Sequence, residues 1–165
     1  MKPFFYLFFF LPLVLSSQSN WQQKADYNMN VSVDVKTFEF SGNQEIVYTN
    51  NSPDTIRKVY YHLYFNAFKP GSQMDVRSLN ISDPDRRVKD RISKLKKNEE
   101  GDLSVFELKQ DGKPIVFEKQ ETVLLARLNK VLLPGKKTKL ALKFRGVVPK
   151  QIRRSGRNNN DGVAL

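Results

Sequence analysis

The sequence predicts a mostly β protein, either an antiparallel β-sandwich or a curved antiparallel sheet, with one short helix. Short segments alternate apolar and polar residues, and turn-forming residues separate these segments at close spacing. One stretch, residues 84–95, has helical periodicity instead. The chain has 165 residues, which is enough for one domain with a buried core.

The N-terminal segment, residues 1–17, has the layout of a secretory signal peptide. Lys2 gives a positive start, an apolar run covers residues 4–15, and the small residues Ser16 and Ser17 follow it. The apolar run is shorter than the roughly 20 residues that a membrane-spanning helix needs. We therefore expect export with cleavage near these two serines; an uncleaved N-terminal anchor is the alternative.

Three strands are predicted in the first half of the chain, joined as an antiparallel meander. Residues 27–36 alternate strictly between apolar and polar, which predicts a strand with one buried face. A turn at residues 41–43 leads to a second strand over residues 44–50. The third strand, residues 55–65, contains the only histidine, His62, and has large side chains on both faces. Such a strand is expected inside a sandwich or beneath a packed domain.

The middle of the sequence interrupts the strand pattern, and residues 70–71 open a loop. Further on, Ser82 resembles a helix N-cap, and a helical stripe of apolar residues predicts a short helix over residues 84–95. The stripe consists of Val88, Ile92 and Leu95. The other face of this helix is basic. We expect the stripe to pack on the sheet; binding of the helix to a membrane surface is the alternative.

Strands resume after Gly101. Asp111 and Gly112 form a strong hairpin signal, and Pro134 with Gly135 predicts another turn. The last of these strands alternates cleanly, with one face predicted to be buried. The predicted strands are residues 103–108, 114–118, 122–128 and 138–144.

The final segment, residues 148–165, is a basic, turn-rich loop that ends differently. Residues 162–165 resemble the start of another strand. A strand that begins where a chain stops leaves an unpaired edge. We therefore expect this segment to be the start of a truncated continuation.

The composition excludes several kinds of active site. With one histidine and no cysteine, the chain cannot form a histidine-pair or cysteine zinc site, an H-E-x-x-H helix or a Cys-His dyad. It also lacks a G-x-S-x-G nucleophile elbow and a phosphate-binding loop. Paired carboxylates stay open as a possibility. We assign no catalytic, metal-binding or cofactor-binding residue, and interpret His62 as a hydrogen-bonded strand residue.

The formal net charge of +11 favours acidic partners. Predicted export disfavours nucleic acid as that partner. An exported protein without disulfides also favours a bacterial envelope over an animal secreted domain. Exposed aromatics on a β face would suit carbohydrate binding, and Tyr60, Tyr64 and Trp21 are the candidates; packing in the core is the alternative.

Several short sequence motifs, in their order and spacing, resemble the N-terminal domain of aminopeptidase N-like zinc metallopeptidases, the gluzincin family. The resemblance runs from about Trp21 to Leu165 and is strongest to the exported forms of Bacteroidetes-type bacteria. The motifs are YTNNSPDT (48–55), HLY (62–64), NAF (66–68), ISDP (81–84), DRISKL (90–95), LLPGKK (132–137) and IRRSGR (152–157).

The resemblance implies that residues 21–147 form a saddle-like, mostly antiparallel β domain. In this family the domain packs against a thermolysin-like catalytic domain and helps to wall the active-site cleft. The family's catalytic parts are a G-x-M-E-N-type segment and an H-E-x-x-H motif with a downstream glutamate, and none of them occurs in this sequence. Zinc and a peptide substrate are thus expected only in the full-length parent, which the resemblance makes a zinc-dependent metallo-aminopeptidase.

Two functions follow as hypotheses. The first is a non-catalytic domain of such an exported peptidase, whose partner is the missing catalytic domain of the same polypeptide. Arg153, Arg154 and Arg157 are then candidates for pairing with acidic residues of that domain; a solvated basic loop is the alternative. The second is a free-standing envelope module that binds glycan or anionic lipid. Both predict the periplasm or cell surface of a Gram-negative bacterium, without nucleic-acid binding. The first also predicts no membrane contact beyond the signal peptide.

Overall fold

The computed structural model describes residues 21–81, 89–150, 152, 156–158 and 162–164. Within these ranges the chain is mostly β and forms two antiparallel sheets, consistent with the predicted β-sandwich. None of the helices in these ranges is long and apolar enough to cross a membrane. The predicted signal peptide, residues 1–17, lies outside the described residues, and so do residues 82–88, Arg153 and Arg154.

The first sheet has five strands in the order β1-β2-β8-β4-β5, all paired antiparallel. β2 and β8 pair along their whole lengths, from Glu39 opposite Val147 to Thr49 opposite Lys137. The strands are β1 (Lys24–Asp34), β2 (Glu39–Thr49), β4 (Asp102–Gln110), β5 (Lys113–Pro114) and β8 (Lys137–Val147).

The second sheet has three strands in the order β3-β7-β6, also antiparallel. They are β3 (Ile56–His62), β6 (Phe117–Gln120) and β7 (Val123–Leu132). A separate two-stranded ribbon joins β9 (Gly156–Asn158) to β10 (Gly162–Ala164), so the predicted start of a strand at residues 162–165 is a paired strand.

Between β3 and β4 the chain is helical in short pieces. The α-helix α1 (Gln73–Asn80) is the longest of them, and Ser72 caps it by accepting a hydrogen bond from Asp75 N. The shorter pieces are 3₁₀-helices at Tyr64–Phe68, Ile92–Lys94 and Lys97–Glu99.

The main core lies between the two sheets. The register places Ile46 of β2 beside Leu140 of β8, and Leu142 of β8 beside Leu108 of β4, so these side chains share one face of the first sheet. Leu124 and the other buried residues of β7 close the core from the second sheet. A smaller core joins Ile92 and Ile152, both fully buried. This smaller core packs Ile152, near the end of the chain, against the 3₁₀-helix Ile92–Lys94.

The predicted turn at residues 41–43 is wrong: Gly42 lies in the middle of β2, opposite Val31. The turn comes earlier, between the end of β1 and the start of β2. A Cβ on Gly42 would lie 2.2 Å from Asn30 O and 2.9 Å from the Phe144 ring. This glycine therefore serves the close approach of neighbouring groups inside a strand.

The predicted helix is also misplaced. Residues 84–88 lie outside the described residues, and the described remainder is a turn followed by the 3₁₀-helix Ile92–Lys94. The α-helix lies earlier, at Gln73–Asn80, directly after the predicted loop at residues 70–71. The described part of the predicted basic helix, residues 89–95, is therefore not an α-helix.

Two expectations for the first half need correction. The strands do not form a three-stranded meander, because β3 leaves the sheet of β1 and β2 and pairs with β7. The apolar face predicted to be buried in residues 27–36 is exposed along β1. Other predictions are confirmed: Asp111 and Gly112 form a hairpin turn with positive φ angles, 48° and 84°, and β8 buries alternate residues.

Candidate docking surface

The outer side of β3 and the start of the 3₁₀-helix that follows it carry three exposed rings. Tyr60 is 62% exposed and Tyr64 is 68% exposed, and His62 between them is also exposed. The rings of His62 and Tyr64 stack, with centroids 5.2 Å apart and planes 14° from parallel. We call Tyr60, His62 and Tyr64 the aromatic face. Its exposure means that one of the two faces of β3 lies outside the sandwich.

The aromatic face continues onto β7. The register places Leu125 opposite Tyr60 and Val123 opposite His62, and both aliphatic side chains are half-buried. The polar end of the face is formed by Lys58 opposite Arg127. The surface thus offers flat aromatic rings, aliphatic groups and positive charge at one end, which suits packing against a protein surface or a sugar ring.

The inner side of β3 holds the aromatic face in place. Leu63 is buried in the core, and Tyr61 packs against it. The Tyr61 hydroxyl has no hydrogen-bond partner among the described residues. Burial raises the pKa of Tyr61, so the phenol stays neutral at physiological pH. Alternation of inner and outer side chains along β3 fixes the direction of the exposed rings.

Asn66 fixes the segment that follows the aromatic face. Its Nδ2 donates to Leu103 O and to Glu121 O, both at 3.0 Å, and its Oδ1 accepts from Leu103 N at 2.9 Å. The side chain is buried. One amide thereby ties the 3₁₀-helix Tyr64–Phe68 to the start of β4 and to the turn between β6 and β7. Asn66 belongs to one of the motifs that carry the family resemblance, and its role here is structural.

Asn50 has the same kind of role at the other end of the sandwich. Its buried Nδ2 donates to Asp54 O at 2.7 Å and to Leu132 O at 3.0 Å. Its Oδ1 accepts from Ser52 N at 3.0 Å, from Ser52 Oγ at 2.7 Å and from Gln23 Nε2 at 3.2 Å. Asn50 therefore connects the end of β2 with the end of β7.

Lys69 and Asp102 form an ion pair next to the Asn66 contacts. Ser104 Oγ also donates to Asp102 Oδ2, at 2.9 Å. Partial burial opposes ionisation of Asp102, but the hydrogen bonds from Lys69 and Ser104 outweigh it and lower its pKa. The carboxylate is thus a structural anion at the start of β4.

Of the three arginines predicted to dock on a missing domain, only Arg157 is among the described residues. Its guanidinium lies over the Phe38 ring at 4.4 Å, and its Nη2 donates to Asn98 O. Its backbone N–H donates to Pro149 O at 2.7 Å. Because a guanidinium has five N–H donors, these contacts leave some of them over, and docking through Arg157 stays a prediction.

Paired carboxylates would have to come from acids such as those of the segment before β4, and these acids have local partners where they are described. Glu99 pairs with Lys150 at 2.9 Å, and hydrogen bonds from Lys96 N and Lys150 Nζ lower the pKa of Glu99. Glu100 pairs with Lys97 at 2.9 Å. Asp83 and Asp85 lie outside the described ranges.

A hydrolytic zinc ion needs three protein ligands and an open position for water. In the described part of the chain, no three histidine, aspartate or glutamate side chains lie close enough together to hold a metal ion. The described residues therefore do not fit a zinc ion.

An apolar groove of about 290 Å³ opens between the sheets, beside β1. Met29, Phe40, Tyr61 and Phe65 are among its lining residues, and the rings of Phe40 and Phe65 meet edge to face at 5.7 Å. His62 and Tyr64 also line it, so the groove and the aromatic face adjoin.

The sequence located the aromatic residues but not the buried amides that hold them. Alternation in residues 55–65 placed Tyr60 and Tyr64 on one face. Nothing in the pattern separated Asn50 and Asn66 from ordinary turn asparagines. Their position directly after a strand, at the edge of an apolar run, is the available signal. Trp21, the third predicted platform, precedes β1 and lies apart from β3 along the chain.

No protein-family model and no curated protein matches the sequence. Among solved structures, a mutant M1 zinc metallopeptidase from Deinococcus radiodurans matches with a TM-score of 0.50 and 13% identity, over 82% of this chain and 24% of that chain. A two-domain M1 zinc metallopeptidase mutant bound to L-tryptophan matches with a TM-score of 0.50 and 14% identity, over 84% and 25%.

The chain therefore spans about a quarter of the length of these solved structures. At this level of identity the likeness concerns the fold. The fold likeness and the resemblance of the short sequence motifs point to the same family, since M1 zinc metallopeptidases are aminopeptidase N-like. The chain shares its fold with a β segment of M1 zinc metallopeptidases.

Proposed function

We propose that this chain is the non-catalytic N-terminal β domain of an exported zinc aminopeptidase-like metallopeptidase. In this proposal it docks on the catalytic domain of the same polypeptide and walls the active-site cleft. The observation that supports it best is the extent of the structural match: most of this chain matches about a quarter of an M1 zinc metallopeptidase. Zinc and the peptide substrate are then held by the rest of the protein.

The aromatic face supports docking as the role of the domain. Tyr60 and Tyr64 are both more than half exposed, although strand aromatics usually contribute to a core. Apolar rings beside half-buried aliphatic groups are the composition of a surface that another domain covers. Lys58 at its end would meet acidic groups of the partner, as would Arg153, Arg154 and Arg157. Arg127 beside it already pairs with Glu118 of β6 at 3.7 Å.

Export completes the proposal. The layout of residues 1–17 supports a signal peptide, and the absence of cysteine from the sequence suits a bacterial envelope protein. We place the protein in the periplasm or at the cell surface of a Gram-negative bacterium, with the exported Bacteroidetes-type peptidases as its kin.

The test is reconstitution from two parts. The chain and the zinc-binding remainder of the same polypeptide are produced separately and mixed, and their binding is measured by calorimetry. We expect 1:1 binding that weakens at least tenfold when Tyr60 and Tyr64 are both changed to serine. The matched control is Tyr27→Ser, since Tyr27 is 62% exposed on β1. No binding by the unchanged chain, or equal weakening by Tyr27→Ser, would contradict docking through the aromatic face.

Activity gives a second readout. An aminoacyl-anilide assay with added zinc should show no turnover by the chain alone. Turnover that a chelator abolishes would show that the chain is itself a peptidase.

The stacked His62 and Tyr64 rings favour one second function, a free-standing envelope module that binds glycan. Sugar rings pack on exposed aromatic rings of this kind. Retention of the monomeric chain on peptidoglycan or polysaccharide, lost in the Tyr60→Ser, Tyr64→Ser double variant, would favour this function over docking. Anionic liposomes at two salt concentrations would detect lipid binding.

A further inference from the structure

β1 is an edge strand with an exposed apolar face. Tyr27, Met29, Val31 and Val33 lie on the side of the first sheet that faces the core, yet each is about half exposed or more. The register shows this directly, because Tyr27 is opposite the buried Ile46. An apolar row that continues a core face without cover is the mark of an interaction surface.

The backbone of β1 is open along one edge. All 11 residues pair with β2, which is its one partner strand within the described ranges. The opposite edge offers a row of N–H and C=O groups for pairing with another strand. β1 is long and contains no proline or glycine, and its charged residues are confined to Lys24, Asp26 and Asp34. It therefore lacks most of the devices that block edge pairing.

Charge selects one register for pairing with a second copy. When two copies of β1 pair antiparallel about a two-fold axis, the axis lies midway between one residue and the same residue of the other copy. That residue defines the register. An axis at Asn30 would set Asp26 opposite Asp34 twice, which is unfavourable. An axis at Met29 sets Lys24 opposite Asp34 twice, and an axis at Asn28 sets Lys24 opposite Ser32.

We infer that two copies of this chain pair through β1, antiparallel, with the two-fold axis at Met29. The arrangement joins the two five-stranded sheets into one continuous sheet. It sets Tyr27 against Val31 of the other copy, an aromatic and β-branched pair on the apolar face. It goes beyond the proposed function and uses the free backbone edge of β1, although Met29 lines the groove that adjoins the aromatic face.

The end groups are placed for this pairing. Lys24 and Asp26 side chains are both more than half exposed in their 3.1 Å ion pair, so Lys24 can exchange partners. Asp34 Oδ1 accepts hydrogen bonds from Lys36 N at 2.8 Å and Thr37 N at 3.3 Å, which hold the carboxylate at the far end of the strand. The two-fold repeats the Lys24–Asp34 pair at both ends of the paired strands.

A single cysteine tests the register, because the chain has no cysteine of its own. Opposed residues of antiparallel strands have Cα atoms about 4.5–5.5 Å apart, within the range of a disulfide. Met29→Cys should therefore form a disulfide dimer in the full chain under mild oxidation, seen on a non-reducing gel. Val33→Cys is the matched control on the same face. Its two copies would lie roughly 26 Å apart, at about 3.3 Å for each residue of offset.

Charge exchange gives an independent readout by analytical ultracentrifugation. Lys24→Glu should raise the dimer dissociation constant roughly tenfold, since it replaces two attractive pairs by two repulsive ones. Adding Asp34→Lys in the same chain should restore dimerisation. Circular dichroism checks that each variant is folded.

Three results would overturn the inference: a chain that stays monomeric up to high micromolar concentration, a Val33→Cys variant that crosslinks as readily as Met29→Cys, or an Asn30→Cys variant that crosslinks faster than both. These results do not decide the docking test, whose variants change Tyr60 and Tyr64; only its control residue, Tyr27, lies on the pairing strand.

Discussion

β1 and β8 are both 11 residues long and both alternate apolar with polar side chains, yet only β8 buries its apolar face. β8 lies between β2 and β4 in the first sheet, and its inner residues, such as Leu140 and Leu142, belong to the core. Within the described part of the chain, β1 has β2 on one side and an open edge on the other. The same sequence pattern therefore has two outcomes, set by position in the sheet.

The difference shows what alternation reports. A period of two identifies the apolar face of a strand, because successive side chains point to opposite sides. It does not say what covers that face. For β8 the cover is the second sheet of the same domain. For β1 we propose a second copy of the chain, and for the outer side of β3 a catalytic domain.

The largest effect expected from this comparison comes from placing a charge on each strand. Leu140 is 2% exposed, whereas Val31 is 49% exposed. Leu140→Asp should abolish folding, because a lost leucine core contact alone costs about 2–5 kcal/mol and an unpaired buried carboxylate costs more. Val31→Asp should cost under about 1 kcal/mol in the monomer. Urea unfolding monitored by circular dichroism measures both; equal losses would show that β1 is covered within the monomer.

The second effect concerns the Asn50 amide, which connects the end of β2 with the end of β7 at one end of the sandwich. Asn50→Ala leaves Leu132 O and Ser52 N without this partner, while Asp54 O keeps the Ser52 Oγ donor at 3.1 Å, so we expect a loss of about 2–4 kcal/mol. Gln23 lies just before β1. Gln23→Ala removes only its hydrogen bond to Asn50 Oδ1 and the one it accepts from Asn51 N. Its cost should stay below about 1.5 kcal/mol. A Gln23→Ala loss as large as that of Asn50→Ala would mean that the start of β1 holds the core together.

Much of the sheet was predictable because its determinants are local. The alternation in residues 138–144 and the hairpin signal of Asp111 and Gly112 depend on neighbouring residues alone. The exposure of β1 was not predictable, because it depends on the order of strands in the sheet. Gly42 was misinterpreted for a related reason: a glycine required by Asn30 and Phe144, which are distant in sequence, looks like a turn glycine.

The helix was misplaced between two similar signals. Ser72 with Asp75 and Ser82 with Asp85 both place an acid three residues after a capping serine. The apolar stripe through Ile92 favoured the second signal. In the structure Ile92 is indeed buried, but in a 3₁₀-helix that packs on Ile152. A contact between residues 60 positions apart therefore decided what local periodicity could not.

The aromatic face was predicted in part. Sequence alternation placed Tyr60, His62 and Tyr64 on one side of a strand, and it left burial in a sandwich and cover by another domain as alternatives. The structure removes the first alternative within the described chain, because these rings are exposed. Nothing local to β3 encodes which sheet it joins, and that choice decides which side faces outwards.

The third effect tests how β1 is held. Gly42→Ala places a methyl group against Asn30 O of β1 and the Phe144 ring of β8, and strain of this kind costs about 1–3 kcal/mol. Because Asn30 O is backbone and β1 pairs with one strand among the described residues, we expect β1 to move away. Hydrogen exchange should then accelerate at β1 amides and stay slow in β8. Asn43→Ala is the control, because Asn43 is the next residue of β2 and its side chain is exposed. Equal acceleration in β8 would contradict the view that β1 is the weakly held strand.

The smallest effect concerns the charged outer side of β8. Glu107 is held by Lys109 and Lys143, and hydrogen bonds from these lysines lower the pKa of Glu107 to about 2. A carboxylate with a depressed pKa adds stability above its unfolded-state pKa, near 4.5, and loses this contribution as the pH falls towards 2. Glu107→Gln should therefore flatten the fall in stability between these pH values, with a small change because the pairs are solvent-exposed. Lys143→Ala should flatten it partly, and Lys113→Ala, a change on the short strand β5, should leave it as in the unchanged chain. The measurement is the urea midpoint across this pH range. If the pH dependence of the midpoint in Glu107→Gln equals that of the unchanged chain, the ion pairs beside β8 contribute nothing to stability. β8 would then differ from β1 through apolar burial alone.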